Sequence, residues 1–200
     1  MKRNLRNALF VLSFCLSSAA FSQVEFGVKA GVGMSNTTEI HGTSKERVGG
    51  LVGVVAKYPF SYRKLDQYIQ AEVLYSNQGE YSLYNGNPQK YKAFLNYINI
   101  PILYKYYFDD QGSDFFVEAG PQFGFKVSEK FDDNEPELTN NKPKSFDLAV
   151  ALGVGYSYER KYELNLRYNY GLIDTYDFNR WDNGKNRTSL LSLSLIYNFD

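Results

Sequence analysis

Apolar residues alternate with small or charged ones, at a period of two, along eight segments of this chain. Residues 114–128 show the pattern. One row is Phe115, Val117, Ala119, Pro121, Phe123, Phe125 and Val127. The other is Asp114, Phe116, Glu118, Gly120, Gln122, Gly124, Lys126 and Ser128. Successive side chains of a strand leave opposite faces, so a period of two predicts a strand. The same reading predicts strands over roughly 23–34, 47–58, 67–78, 92–108, 114–128, 145–158, 162–173 and 187–199. A soluble barrel would turn its apolar row inward. Here the second row mixes full charges, amides and glycines in strand after strand, which suits an enclosed polar lumen, while the first suits lipid.

The chain has no segment of twenty apolar residues after Ser22, so no spanning helix is expected. Strands in hydrocarbon must close on themselves, because an open edge leaves N–H and C=O groups without partners. The predicted fold class is therefore all-β: an eight-stranded antiparallel up-and-down transmembrane β-barrel. Pro101 interrupts the longest strand without a donor, and a bulge is expected there. Connections after the second, fourth and sixth strands are short, and the other four are expected to run to about twelve to sixteen residues. An even strand number then places both termini on the periplasmic side.

Aromatic residues agree with this frame. Outward Phe26, Tyr58, Tyr106, Phe108, Phe115, Tyr156, Tyr158, Tyr162, Tyr197 and Phe199 gather near the short turns, as an interfacial girdle would. A second ring is expected at Tyr75, Phe94, Phe125, Phe146 and Tyr170.

The first 22 residues read as a removable signal peptide. Lys2, Arg3 and Arg6 precede a mostly apolar run, and Ala20-Phe21-Ser22 offers a cleavage site before Gln23. Residues 23–200 then form one outer-membrane barrel domain. The only cysteine, Cys15, leaves with that peptide, so no disulfide or thiol chemistry is expected. Without the three basic residues of the peptide, 19 basic and 22 acidic residues remain, interspersed, and no basic patch suggests nucleic acid.

Eight strands enclose a space just wide enough for side chains to fill. The inward positions supply Lys29, Lys57, Lys105, Lys126 and Arg167 against Glu25, Glu72, Glu118, Asp147 and Glu163. Enclosed charges must be paired or hydrogen-bonded, so a closed, salt-bridged lumen is the expectation. The alternatives are a narrow conduit for small polar solutes and a soluble periplasmic lipocalin-like binder, which would need an apolar cavity. No enzyme, catalytic residue or cofactor is expected. Lone His41 falls in a polar loop, and inward Ser192 and Ser194 have no histidine to activate them.

Specific contacts are expected in the outer loops. The segment 129–144 crowds Asp132, Asp133, Glu135 and Glu137, a weak set of metal candidates without the ligand ladder of a calcium loop. The segment 174–186 carries the only tryptophan, and Tyr176, Phe178, Arg180 and Trp181 form a candidate contact patch for a partner or lipid headgroup.

The stretches FGVKAGVGMS (26–35), QAEVLYSNQG (70–79), YINIPILYKYYF (97–108), FFVEAGPQFGF (115–125), VALGVGYSY (150–158), ELNLRYNYGL (163–172) and LSLSLIYNF (191–199) follow in order over the whole mature chain. In this order and spacing they resemble the PorT-like outer-membrane β-barrel proteins of Bacteroidetes-type bacteria. The resemblance implies an eight-stranded barrel in the outer membrane of a Gram-negative cell, surrounded by lipid and lipopolysaccharide. The family's best-known member is tied to protein export, so the resemblance also implies a link to protein secretion. It supplies no catalytic residues. The expected filled lumen and long loops suggest a monomer with an envelope protein as partner.

Overall fold

The computed structural model describes residues 24–37, 44–60, 66–83, 90–109, 112–131, 143–175 and 186–199. Residues 1–22, expected as a signal peptide and including Cys15, and His41 lie outside them. Eight strands follow in chain order: β1 (Glu25–Asn36), β2 (Ser44–Pro59), β3 (Gln67–Leu83), β4 (Lys90–Tyr107), β5 (Asp114–Phe131), β6 (Phe146–Tyr158), β7 (Tyr162–Gly171) and β8 (Ser189–Asn198). Each pairs antiparallel with the next, and β8 returns to β1 from Gly27↔Asn198 to Asn36↔Ser189, which closes the barrel. No strand edge is left open around the circumference of the wall.

The two rows face as the alternation requires. Leu195 is 63% exposed on the outside, whereas Lys105 on the inside is fully buried. Val28, Val52, Val73, Ile102, Val117, Leu152, Leu166 and Leu193 complete an apolar outer band, and the inner row holds most of the charge. Aromatic rings border that band. Near the short turns, Phe115 packs on Tyr156 at 5.1 Å, Tyr162 on Tyr197 at 5.3 Å, Tyr197 on Phe199 at 5.6 Å and Tyr106 on Phe108 at 5.5 Å. At the other end Phe125 meets Phe146 at 5.6 Å and Tyr81 meets Phe94 at 5.2 Å. On β6 the two levels are ten residues apart, from Phe146 to Tyr156. At about 3.3 Å per residue and a tilt of about 40°, that is roughly 25 Å, the height of an outer-membrane barrel's apolar band.

Three expectations need correction. Pro101 causes no bulge: β3 and β4 pair at Ala71↔Ile102 and resume at Leu74↔Asn99 in the same register. The missing donor leaves a gap in the ladder rather than an extra residue. The bulge of β4 against β5 lies instead between Asn96 and Tyr97, where Tyr97 pairs Lys126 but Asn96 pairs Ser128. That one-residue slip reverses the alternation above it, so Ser128 faces outward and accepts from the Asn96 amide at 3.0 Å.

The third correction concerns the connections. Those following β5 and β7 are long, residues 132–145 and 172–188, but those following β1 and β3 span only 37–43 and 84–89. The residues assigned to those two loops continue the strands. The 18 residues of β4 rise about 45 Å at that tilt, more than the ~30 Å hydrocarbon core needs, so β2 to β5 continue beyond the band. The β6–β7 link is the tightest: Lys161 N donates to Tyr158 O at 3.1 Å, with Glu159 (φ 53°) and Arg160 (φ 55°) both left-handed.

Candidate functional site

The lumen is filled at mid-height by one connected set of ion pairs. Arg167 of β7 lies at its centre. Its Nη1 and Nη2 donate to the two oxygens of Glu72 at 2.7 Å each, and its Nε donates to Glu118 at 2.6 Å. The planar guanidinium fork fits a carboxylate in this two-pronged way, as a lysine amine cannot. Lys29 of β1 donates to Glu72 at 3.4 Å and to Asn165 Oδ1 at 3.2 Å, and the Asn165 amide donates to Glu118 at 2.9 Å. Gln70 bridges to the next hub: its amide donates to Glu72, and its Oε1 accepts from Lys105 at 3.0 Å.

Glu163 is that second hub. It accepts from Lys105, from Lys57 at 3.3 Å, from the Tyr107 hydroxyl at 2.6 Å and from the Asn198 amide at 3.0 Å. Lys57 also reaches half-exposed Glu25 at the rim, 3.0 Å away. Four cations (Lys29, Lys57, Lys105, Arg167) thus meet four carboxylates (Glu25, Glu72, Glu118, Glu163). Such a set is tolerable in a low-dielectric interior only because each charge finds an opposite one and further hydrogen bonds. β6 supplies the space. A Cβ at Gly153 would stand 2.6 Å from Glu118 Oε1, so a side chain there would displace the carboxylate that holds Arg167.

Below the ion set, toward the short-turn mouth, lies a buried aromatic cluster. Tyr107 meets Tyr68 at 5.6 Å and Phe116 at 5.5 Å, edge to face, and all three are buried. Lys105 lies 3.9 Å from the centre of the Phe116 ring. From beneath, the Arg160 guanidinium lies 3.5 Å from the Tyr107 ring centre and pairs with Asp114 at 3.2 Å. It also donates to the carbonyl of Asp109 at 2.6 Å. The left-handed β6–β7 turn is held in place by these contacts, and the Asn198 amide donates to the Arg160 carbonyl at 2.7 Å.

The alternation identified the charged members but not their amide and phenol partners. Gln70, Tyr107, Asn165 and Asn198 have no charge to mark them, and only their inward parity could have pointed to them. Two of the ten expected residues stand apart from the set. Lys126 turns to Glu129 and to the Pro143 carbonyl, 2.7 Å away. Asp147 accepts from the Thr188 hydroxyl at 2.6 Å. Ser192 and Ser194 contact backbone carbonyls of Arg167 and Asn165, at 3.4 and 3.5 Å. The acidic candidates Asp132, Asp133, Glu135 and Glu137 and the contact patch Tyr176, Phe178, Arg180 and Trp181 lie outside the described residues. Among the described residues no group of three His, Cys, Asp or Glu side chains could hold a metal.

Comparison with family models matches residues 17–177 to the outer membrane protein beta-barrel domain. A comparison with curated proteins gives no match. Among solved structures, the outer membrane protein OprG from Pseudomonas aeruginosa superposes with a TM-score of 0.50 at 14% identity, covering 88% of this chain and 95% of that one. Neisserial surface protein A (NspA) gives 0.47 at 18% identity, covering 88% and 97%. Ail, the attachment invasion locus protein of Yersinia pestis, gives 0.47 at 11%, covering 88% and 99%.

Proposed function

This chain belongs to the outer membrane protein beta-barrel domain family, and from that premise we propose that it is a closed, non-catalytic barrel that works as an interaction protein through the loops of its long-loop mouth. One observation supports the reading: the buried Arg167–Glu72–Glu118 and Lys105–Glu163 pairs cross the lumen, with the buried Tyr68–Tyr107–Phe116 cluster beneath. A wall filled in this way leaves the mouths to carry recognition. A soluble lipocalin-like binder would need the apolar rows inside, where the charges lie.

On this reading the termini are periplasmic and the barrel sits as a monomer among outer-membrane lipid and lipopolysaccharide. The long connections 132–145 and 172–188 face outward, and Tyr176, Phe178, Arg180 and Trp181 form the contact patch. The resemblance of the strand motifs to PorT-like proteins supports an envelope protein of a secretion system as the partner. Two measurements test this. In planar bilayers the folded barrel should give no channel steps, and steady conductance would favour a solute conduit instead. Cross-linked partners recovered from envelopes should be lost when residues 174–186 are shortened, and an unchanged partner set would overturn loop-borne binding.

A further inference from the structure

Above the ion network, the lumen changes character. Asp147 is the second residue of β6, next to the long-loop mouth. It is 93% buried, yet it makes no ion pair with any described residue. One carboxylate oxygen, Oδ2, accepts from Thr188 at 2.6 Å, and the other, Oδ1, has no hydrogen-bond partner. Every buried carboxylate of the network below has a cation, whereas this one does not. The nearest inward lysine on the neighbouring strand, Lys126, is committed to Glu129 and Pro143.

The register explains what surrounds Asp147. In one row across the wall, Asn99 of β4 pairs Gly124 of β5, and Gly124 pairs Asp147. Gly124 leaves a cradle between its two neighbours. A Cβ there would lie 3.0 Å from Asn99 Oδ1, 3.2 Å from Asp147 Cβ and 3.5 Å from the Tyr97 ring. The Asn99 amide nitrogen is turned away and donates to Ser76 at 2.7 Å, which leaves its carbonyl oxygen toward the cradle. The polar groups that border the cradle are therefore an oxygen acceptor, the Asn99 carbonyl, and the Asp147 side chain, whose Oδ2 is held by Thr188 from the side of β7 and β8.

A carboxylate enclosed without a counter-charge is costly, and a bound cation removes the cost. Hard oxygen donors suit alkali and alkaline-earth ions. Calcium ordinarily gathers six to eight oxygens, usually with more than one carboxylate, whereas a single carboxylate balances a single positive charge. We propose that the cradle over Gly124 binds one small monovalent cation, sodium-like, through Asp147 and Asn99, entering from the long-loop mouth. The ion would supply there the positive charge that Lys29, Lys57, Lys105 and Arg167 supply below. The site is independent of what the loops recognise.

The test uses the full mature barrel, folded in detergent. The midpoint of thermal unfolding, read from the gel shift between folded and unfolded forms, is followed in sodium chloride and in N-methylglucamine chloride at equal ionic strength. Sodium should raise the wild-type midpoint saturably, and Asp147→Asn, close in shape, should lose that rise. Sodium NMR gives a readout separate from stability: line broadening by the wild type should disappear in Asp147→Asn. A sodium response that persists in Asp147→Asn, or no response in the wild type, overturns the proposal. So does a response that appears only in Lys126→Met, since Lys126 would then be the counter-charge of Asp147.

Discussion

At the residue scale, the lumen shows how much a single charge depends on its partners. Arg167 holds two carboxylates and is nearly fully buried. Replacing it with methionine leaves Glu72 and Glu118 short of their strongest donor. The expected cost is about 3–5 kcal/mol, the usual penalty for breaking a buried pair from one side, measured as a lower urea midpoint for folding into vesicles. Replacing Glu72 with glutamine as well evens the set at three cations and three carboxylates, keeps an acceptor for Lys29 and should restore part of the loss. A double variant no better than the single would mean that Arg167 acts by packing rather than by charge. The opposite sign is expected at Glu159. It holds φ 53° without being a glycine, a conformation that costs an ordinary residue roughly 1–2 kcal/mol. Its backbone N–H donates to Ser113 at 3.0 Å, a bond that does not require its side chain. Glu159→Asn, which tolerates this region, should therefore stabilise the barrel by up to about 1 kcal/mol in the same assay.

At the scale of the strands, the face of nearly every residue was legible because the period of two runs without interruption over ten or more positions. What broke the reading was local. One extra residue near Val127 turned Ser128 outward, and nothing in KVSEK distinguishes a slip from continued alternation. Pro101 was a visible signal, but its missing donor was absorbed as a gap in the ladder, because the neighbouring pairs on both sides keep their register. Partner choice was not legible either. Lys126 and Asp147 share the inward face, yet reach depends on how far adjacent strands are staggered, which the sequence of one strand does not show. The register itself can be tested on β6. Val150 faces out near the middle of the apolar band and Ala151 faces the lumen. Val150→Arg should cost roughly 2–4 kcal/mol and block assembly, whereas Ala151→Ser should change little. Equal effects would place the faces one residue out of step.

At the scale of the whole molecule, closure governs orientation. β1 begins and β8 ends at the mouth of the short turns, where Phe199 N donates to Phe26 O at 2.7 Å. Both termini therefore belong to one side of the band, and the two long connections to the other. The termini alone do not fix which side is the cell exterior. The tight links help: the three-residue turn after β6, braced by Arg160 on Tyr107 and Asp114, suits the periplasmic side, where outer-membrane barrels keep their short turns. An epitope after Asp200 should then be reached by antibody only once the outer membrane is permeabilised, while one inserted at residues 182–184 should be reached on intact cells. Labelling of the carboxyl-terminal epitope on intact cells would invert the barrel and move recognition to the other mouth. Such an inversion would leave the faces of all eight strands unchanged, because lipid distinguishes inside from outside the wall but not one mouth from the other. The orientation is therefore a property of the loops and turns, and this labelling experiment tests it separately from the fold.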